Sequence, residues 1–99
     1  MDEVIYLNNL YDCYKELLSD KQKEYFEDYY QNNLTLSEMS LNYGISRNAI
    51  HRQIKKISEL LEFYESKLGI ISKNNKIMDL INSTKNDKLI SEIERIIEG

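Results

Sequence analysis

The residues of this chain best able to do chemistry lie between Ser46 and Lys56. Arg47, Asn48, His51, Arg52 and Lys55 recur at spacings of one, three and four, and Lys56 follows. On an α-helix these spacings place the side chains on one side. Arginine makes two hydrogen bonds to the edge of guanine, and asparagine makes two to adenine. Lysine more plausibly meets phosphate, so Lys55 and Lys56 fit the nucleic-acid backbone. Ser46 is a good helix N-cap, and the N–H groups that it leaves free suit a phosphate oxygen. No carboxylate occurs from Gly44 to Ser58. A solvated helix face would show the same composition, so the charge pattern alone leaves both readings open.

Other chemistries find little footing. His51 is the only histidine, and no cluster of His, Cys and suitably spaced carboxylates offers a zinc site. A surface histidine without a task fits His51 as well as a contact role does. Cys13 is the only cysteine, cannot form an internal disulfide, and reads as a small core residue beside Leu10 and Leu17. No Cys–His or Ser–His arrangement follows from spacing, and there is no glycine-rich phosphate loop, so the chain reads as a non-enzyme needing no cofactor or metal. The acidic residues alternate with Lys and polar groups and read as solvated helix surface.

The charges are unevenly distributed. The net charge of −4 argues against a general polyanion binder. Residues 1–34 hold eight acidic and three basic side chains, a balance of −5. Residues 35–57 set Glu38 against Arg47, Arg52, Lys55 and Lys56, a balance of +3. Residues 58–72 return to −2, and 73–99 are neutral. One basic face in an acidic protein fits either phosphate or an acidic protein surface.

The elements that position these residues are helices. The chain has 99 residues, no proline and three glycines, Gly44, Gly69 and Gly99, and 41% of it is hydrophobic. That is one domain's worth of chain, all-α, with short turns. Leu7, Leu10, Tyr14, Leu17 and Leu18 predict a first helix from about Glu3 to Leu18. Ser19-Asp20-Lys21-Gln22 is a capping box opening a second helix, continuing to about Gln31. Tyr25 with Tyr29, and Phe26 with Tyr30, are aromatic i,i+4 pairs. Because Glu24, Glu27 and Asp28 flank them, they fit core packing better than stacking on bases. Asn32-Asn33 supplies a turn. Thr35-Leu36-Ser37-Glu38 is a second capping box, and Gly44 must end its short helix. The next helix can run from Arg47 to about Leu68, with Gly69 as its C-cap.

A helix-turn-helix needs a small residue where its helices approach, a residue tolerant of positive φ in the turn, and apolar anchors beneath the second helix. Ser40, Gly44 and the set Ile45, Ile50, Ile54 and Ile57 meet those needs, with Ala49 and Leu61 also read as inward. Beyond Ile70-Ile71-Ser72 lie two short amphipathic segments. One carries Ile77, Met78, Leu80 and Ile81, and the other Leu89, Ile90, Ile93, Ile96 and Ile97. Neither is long enough to be stable alone, so both must pack within the chain or on a partner. The expected organisation is a four-helix helix-turn-helix domain over 1–69 and a C-terminal helical hairpin over 70–99, for packing or dimerisation. No apolar run reaches the roughly 20 residues of a membrane span, and the N-terminus does not read as a signal peptide. The expected location is the cytoplasm.

The stretch from Leu17 to Ile70 resembles the YlxM family, small helix-turn-helix proteins similar to region four of bacterial sigma factors. The residues carrying this are Leu18-Ser19-Asp20-Lys21-Gln22, Tyr25, Tyr29-Tyr30, Leu34-Thr35-Leu36-Ser37-Glu38, Gly44-Ile45-Ser46-Arg47 and Tyr64-Glu65-Ser66-Lys67-Leu68. Ser40 stands where the family usually has alanine, and His51-Arg52 falls in a variable part of the recognition helix. The resemblance implies a bacterial cytosolic regulatory protein linked to the signal recognition particle pathway. It implies a role through nucleic-acid or protein binding; on the residues' own placement, DNA or RNA is the partner expected at the recognition helix, with Ser46, Arg47, Asn48, His51, Arg52, Lys55 and Lys56 as contact residues. Components of the particle, or its GTPase, are the alternative partners. A single module makes few base contacts, so a homodimer is also expected.

Overall fold

A computed structural model describes residues 2–99. Six α-helices follow in order: α1 (Asp2–Tyr14), α2 (Asp20–Phe26), α3 (Leu36–Tyr43), α4 (Arg47–Leu68), α5 (Ile70–Asn82) and α6 (Asp87–Glu98). A 3₁₀ turn (Lys15–Leu17) follows α1, and a π turn (Glu27–Gln31) follows α2. The chain is all-α, with no strand among the described residues. It divides into two compact units, one ending at Lys67 and the other starting at Leu68.

In the first unit, each helix start has a local cause. The Ser19 hydroxyl accepts from the Gln22 N–H at 3.1 Å while the Gln22 side chain accepts from the Ser19 N–H at 2.9 Å. Thr35 and Glu38 repeat the exchange at 3.1 and 3.0 Å, both boxes as the spacing predicts. The Thr35 backbone N–H first, and its side-chain hydroxyl second, also hold the Glu38 carboxyl below its ordinary range. Gly44 ends α3 at φ +68°, a left-handed conformation that costs glycine nothing. Asn33 turns the chain before α3 at φ +56°.

The core follows the expected periodicities with two exceptions. From α1 it takes Leu7, Leu10, Tyr11 and Tyr14, and from α4 Ile50, Ile54, Ile57 and Leu61. Leu18, Tyr25, Phe26 and Met39 complete it. Burial of each large side chain stabilises by roughly 1.5–3 kcal/mol before chain entropy is counted. Leu17, expected in this stripe, is 52% exposed, and Cys13, expected in the core, is exposed too. The helix tightens at Lys15, so the 3.6-residue period does not carry to Leu17, and Tyr11 takes the inward position beside Leu10. The Cys13 thiol is pushed up by partial burial, against a hydrogen bond with Tyr14, with the Glu65 charge adding to the rise.

The aromatic residues are core, as read. Tyr11 and Phe26 stack at 4.3 Å, and Tyr25 meets Tyr43 edge-on at 4.7 Å, joining α1 to α2 and α2 to α3. Phe26 and Tyr30 form the expected i,i+4 contact at 4.8 Å. A buried tyrosine hydroxyl needs an acceptor. Tyr11 donates to Glu27, Tyr43 to Asp28, and Tyr14 to Glu65 at 2.5 Å. Three acidic residues read as solvated surface thus accept hydrogen bonds from the core.

In the second unit, Asn86 caps α6 by accepting from the Leu89 N–H at 3.1 Å. Gly69 opens the unit at φ +61°. Neither α5 nor α6 holds a fully buried residue. Leu80 is 72% and Ile96 74% exposed, while Ile81, Ile90, Ile93 and Ile97 are half-buried.

Candidate nucleic-acid interface

The connection between α3 and α4 takes three residues, Gly44, Ile45 and Ser46. Ser40 is half-buried there, and its hydroxyl donates to the Ile45 carbonyl. Alanine could not make that bond, so the serine ties the end of α3 to the turn. Ser46 caps α4, its Oγ accepting from the Ala49 N–H at 3.1 Å. Ile45 and Ala49 are half-buried, whereas Ile50, Ile54 and Ile57 are fully buried.

Arg47, Asn48, His51, Arg52, Lys55 and Lys56 are all exposed, as is Ser46. At about 100° per residue they sweep roughly half of the α4 circumference, with the isoleucines on the other half. Ser46, Arg47, Asn48 and His51 come together with Leu36 around an open depression of about 580 Å³ at the mouth of the turn. Arg52, Lys55 and Lys56 do not line it and stand further along the outer side of α4. Neither arginine makes a hydrogen bond or an ion pair among the described residues. The two ion pairs there, Lys21–Glu24 at 3.6 Å and Lys23–Glu16 at 3.8 Å, lie in the acidic part of the chain.

Leu36 is the lining residue that sequence reasoning missed. In the sequence it stands in the Thr35 capping box and in the stretch that carries the family resemblance, with no contact role. A half-buried leucine beside Arg47 and Asn48 puts an apolar side chain among hydrogen-bonding groups. The signal was available, since Leu36 precedes a polar residue and a capping glutamate in a helix too short to need it for packing alone.

Among the described residues no helix is long and apolar enough to cross a membrane. No group of three or more His, Cys, Asp or Glu that could hold a metal ion occurs there either.

Known sequences agree with this architecture. The profile of the UPF0122 family, described as "Putative helix-turn-helix protein, YlxM / p13 like", matches residues 1–98. A UPF0122 protein of Fusobacterium nucleatum subsp. nucleatum is 41% identical over 99 residues, covering 100% of this chain and 96% of the relative. A UPF0122 protein of Caldanaerobacter subterraneus subsp. tengcongensis is 42% identical over 84 residues, covering 85% and 72%. One of Halalkalibacterium halodurans is 33% identical over 85 residues, covering 86% and 78%.

Proposed function

Because the chain belongs to the UPF0122 family of helix-turn-helix proteins, we propose that it is a regulatory protein that reads duplex DNA with the N-terminal half of α4. The observation that carries this reading is the depression formed by Ser46, Arg47, Asn48, His51 and Leu36 at the start of that helix. A major groove of B-DNA admits an α-helix, whereas the deep, narrow major groove of duplex RNA does not. DNA is therefore favoured over duplex RNA. Arg47, Asn48 and His51 reach base edges, with Leu36 against a thymine methyl, while Arg52, Lys55 and Lys56 meet the phosphates of one strand.

One such module contacts few base pairs, and useful specificity calls for two. The second unit supports a homodimer: Ile90, Ile93 and Ile97 line one side of α6 but are only half-buried, so a second copy can finish their burial. The site of action on this reading is the cytoplasm.

The experiment is enrichment of the purified chain's ligands from random duplex DNA at physiological salt, with an RNA hairpin pool run in parallel. A recurring motif in the DNA pool, altered by Asn48→Ala, is the expected result. Equal enrichment of both pools without a motif would overturn it.

A second reading is favoured by the acidic balance of residues 1–34 and by the pathway that the resemblance implies. Here the chain binds a component of the signal recognition particle, or its GTPase, through protein contacts. Cosedimentation with the reconstituted particle tests this, and a mixture sedimenting as separate species sinks it.

A further inference from the structure

The π turn after α2 has no part in the helix-turn-helix. Its five residues let the Asn32 N–H bond the Glu27 carbonyl at 2.8 Å, a register that is frequent at functional sites. Its consequence is to present Tyr29 and Tyr30 side by side, ring centroids 4.9 Å apart and planes nearly perpendicular at 88°. Both rings are half-buried, so each keeps surface open to a ligand.

These rings line a second depression of about 340 Å³, together with Glu3, Val4 and Leu7 of α1 and with Asn33. Leu7 is buried, Val4 is 42% exposed, and Glu3 is exposed and makes no ion pair among the described residues. Glu3 lies near enough to contribute to raising the Tyr30 hydroxyl above its ordinary range, after burial and Tyr29. No residue is shared with the depression on α4. The surrounding sequence is the most acidic of the chain, at −5 over residues 1–34.

We infer that this depression is a binding site for an arginine side chain on a basic segment of a partner protein. Aromatic faces attract cations, and arginine stacks on them better than lysine because its guanidinium is flat and weakly hydrated. The guanidinium also offers paired N–H donors to a carboxylate, here that of Glu3. Val4 and Leu7 meet the methylene stem, which needs apolar contact along its length. Nucleic acid is repelled by the same charges, so the two depressions take ligands of opposite sign. The inference goes beyond both readings given above and depends on neither DNA binding at α4 nor a particular partner.

The test is a titration of the full chain with a short Arg-Gly-Ser peptide, acetylated and amidated, followed through tyrosine ring resonances. The expected result is perturbation centred on Tyr29 and Tyr30, with the lysine version of the peptide binding several-fold more weakly. Glu3→Gln and Tyr29→Leu each lower affinity about five- to tenfold, on the scale of one charge-assisted or cation–π contact. Glu3 is exposed and Tyr29 is outside the fully buried core, and thermal melting of both variants confirms that they fold. DNA binding stays at the parent level in both, which separates failure of this site from failure of the α4 face. Perturbation centred on Tyr64 of α4 instead, equal binding of the lysine peptide, or variants binding as well as the parent would each overturn the assignment.

Discussion

Replacing Arg47 and Arg52 together by alanine tests the proposed DNA face most directly, and the geometry sets the scale of the effect. Four permanent cations, Arg47, Arg52, Lys55 and Lys56, stand exposed on the outer side of α4. Arg52, Lys55 and Lys56 are the three assigned to phosphates, and if each displaces one counterion the logarithm of affinity falls against the logarithm of salt with a slope of about −2.7 per copy. Two remain in the double variant, so the slope shrinks to about −1.8. A good arginine contact to a base edge or phosphate contributes about 1–3 kcal/mol, so losing two lowers affinity at least about thirtyfold. The fold should not notice: both side chains are exposed and unpaired among the described residues, and such substitutions change stability by no more than about 0.5 kcal/mol. Fluorescence anisotropy with a labelled duplex, repeated across a salt series, reads both numbers. Circular dichroism melting checks the fold. A double variant that keeps the parent's affinity and slope would refute the assignment of this face.

Other consequences can be measured on the same protein. Gly44→Ala meets no atom within 4 Å, so its cost is the left-handed backbone alone, about 1 kcal/mol. The melting temperature should drop by about 4–8 °C for a domain of this size, with Gly44→Asn in between. Tyr11 and Tyr43 have pKa values pushed well above the ordinary range, by burial first and then by their hydrogen bonds to Glu27 and Asp28. Their stabilisation is fully present below about pH 10, where unfolded tyrosine titrates, and is lost as pH rises beyond it. Urea midpoints measured between pH 8 and 11.5 should fall in the parent and fall less in Tyr11→Phe plus Tyr43→Phe. Ile93→Asp on α6 should shift sedimentation from dimer to monomer without unfolding the first unit, and a monomeric parent at tens of micromolar would end the dimer proposal.

The parts of this fold that were legible in the sequence are those fixed by residues three or four apart. Both capping boxes, the glycine ending α3, the span of α4 and its apolar row at 50, 54, 57 and 61 depend on neighbours along the chain. Where regular helix gives way, periodicity misleads. The 3₁₀ turn at Lys15–Leu17 rotated Leu17 out of a row that it fits perfectly on paper, and Cys13 proved exposed although it flanks that row. The π turn was equally invisible, because its sequence reads as the continuation of α2.

Charge adds a different lesson about distance along the chain. The basic stretch of α4 could be read at once, since every residue in it has the same sign and nothing nearby cancels it. The acidic residues could not be sorted in that way. Glu27, Asp28 and Glu65 accept from tyrosines 16, 15 and 51 residues away, pairings that no local rule predicts. With two of its carboxylates, Glu27 and Asp28, accepting hydrogen bonds from tyrosines, the −5 balance of the first 34 residues is not a uniformly solvated skirt. Glu27 and Asp28 are taken up by the fold, whereas Glu3 makes no ion pair among the described residues and lines a cavity walled by two rings. An exposed carboxylate placed where a cation and an aromatic face can meet fits something it binds better than a bond that it holds together.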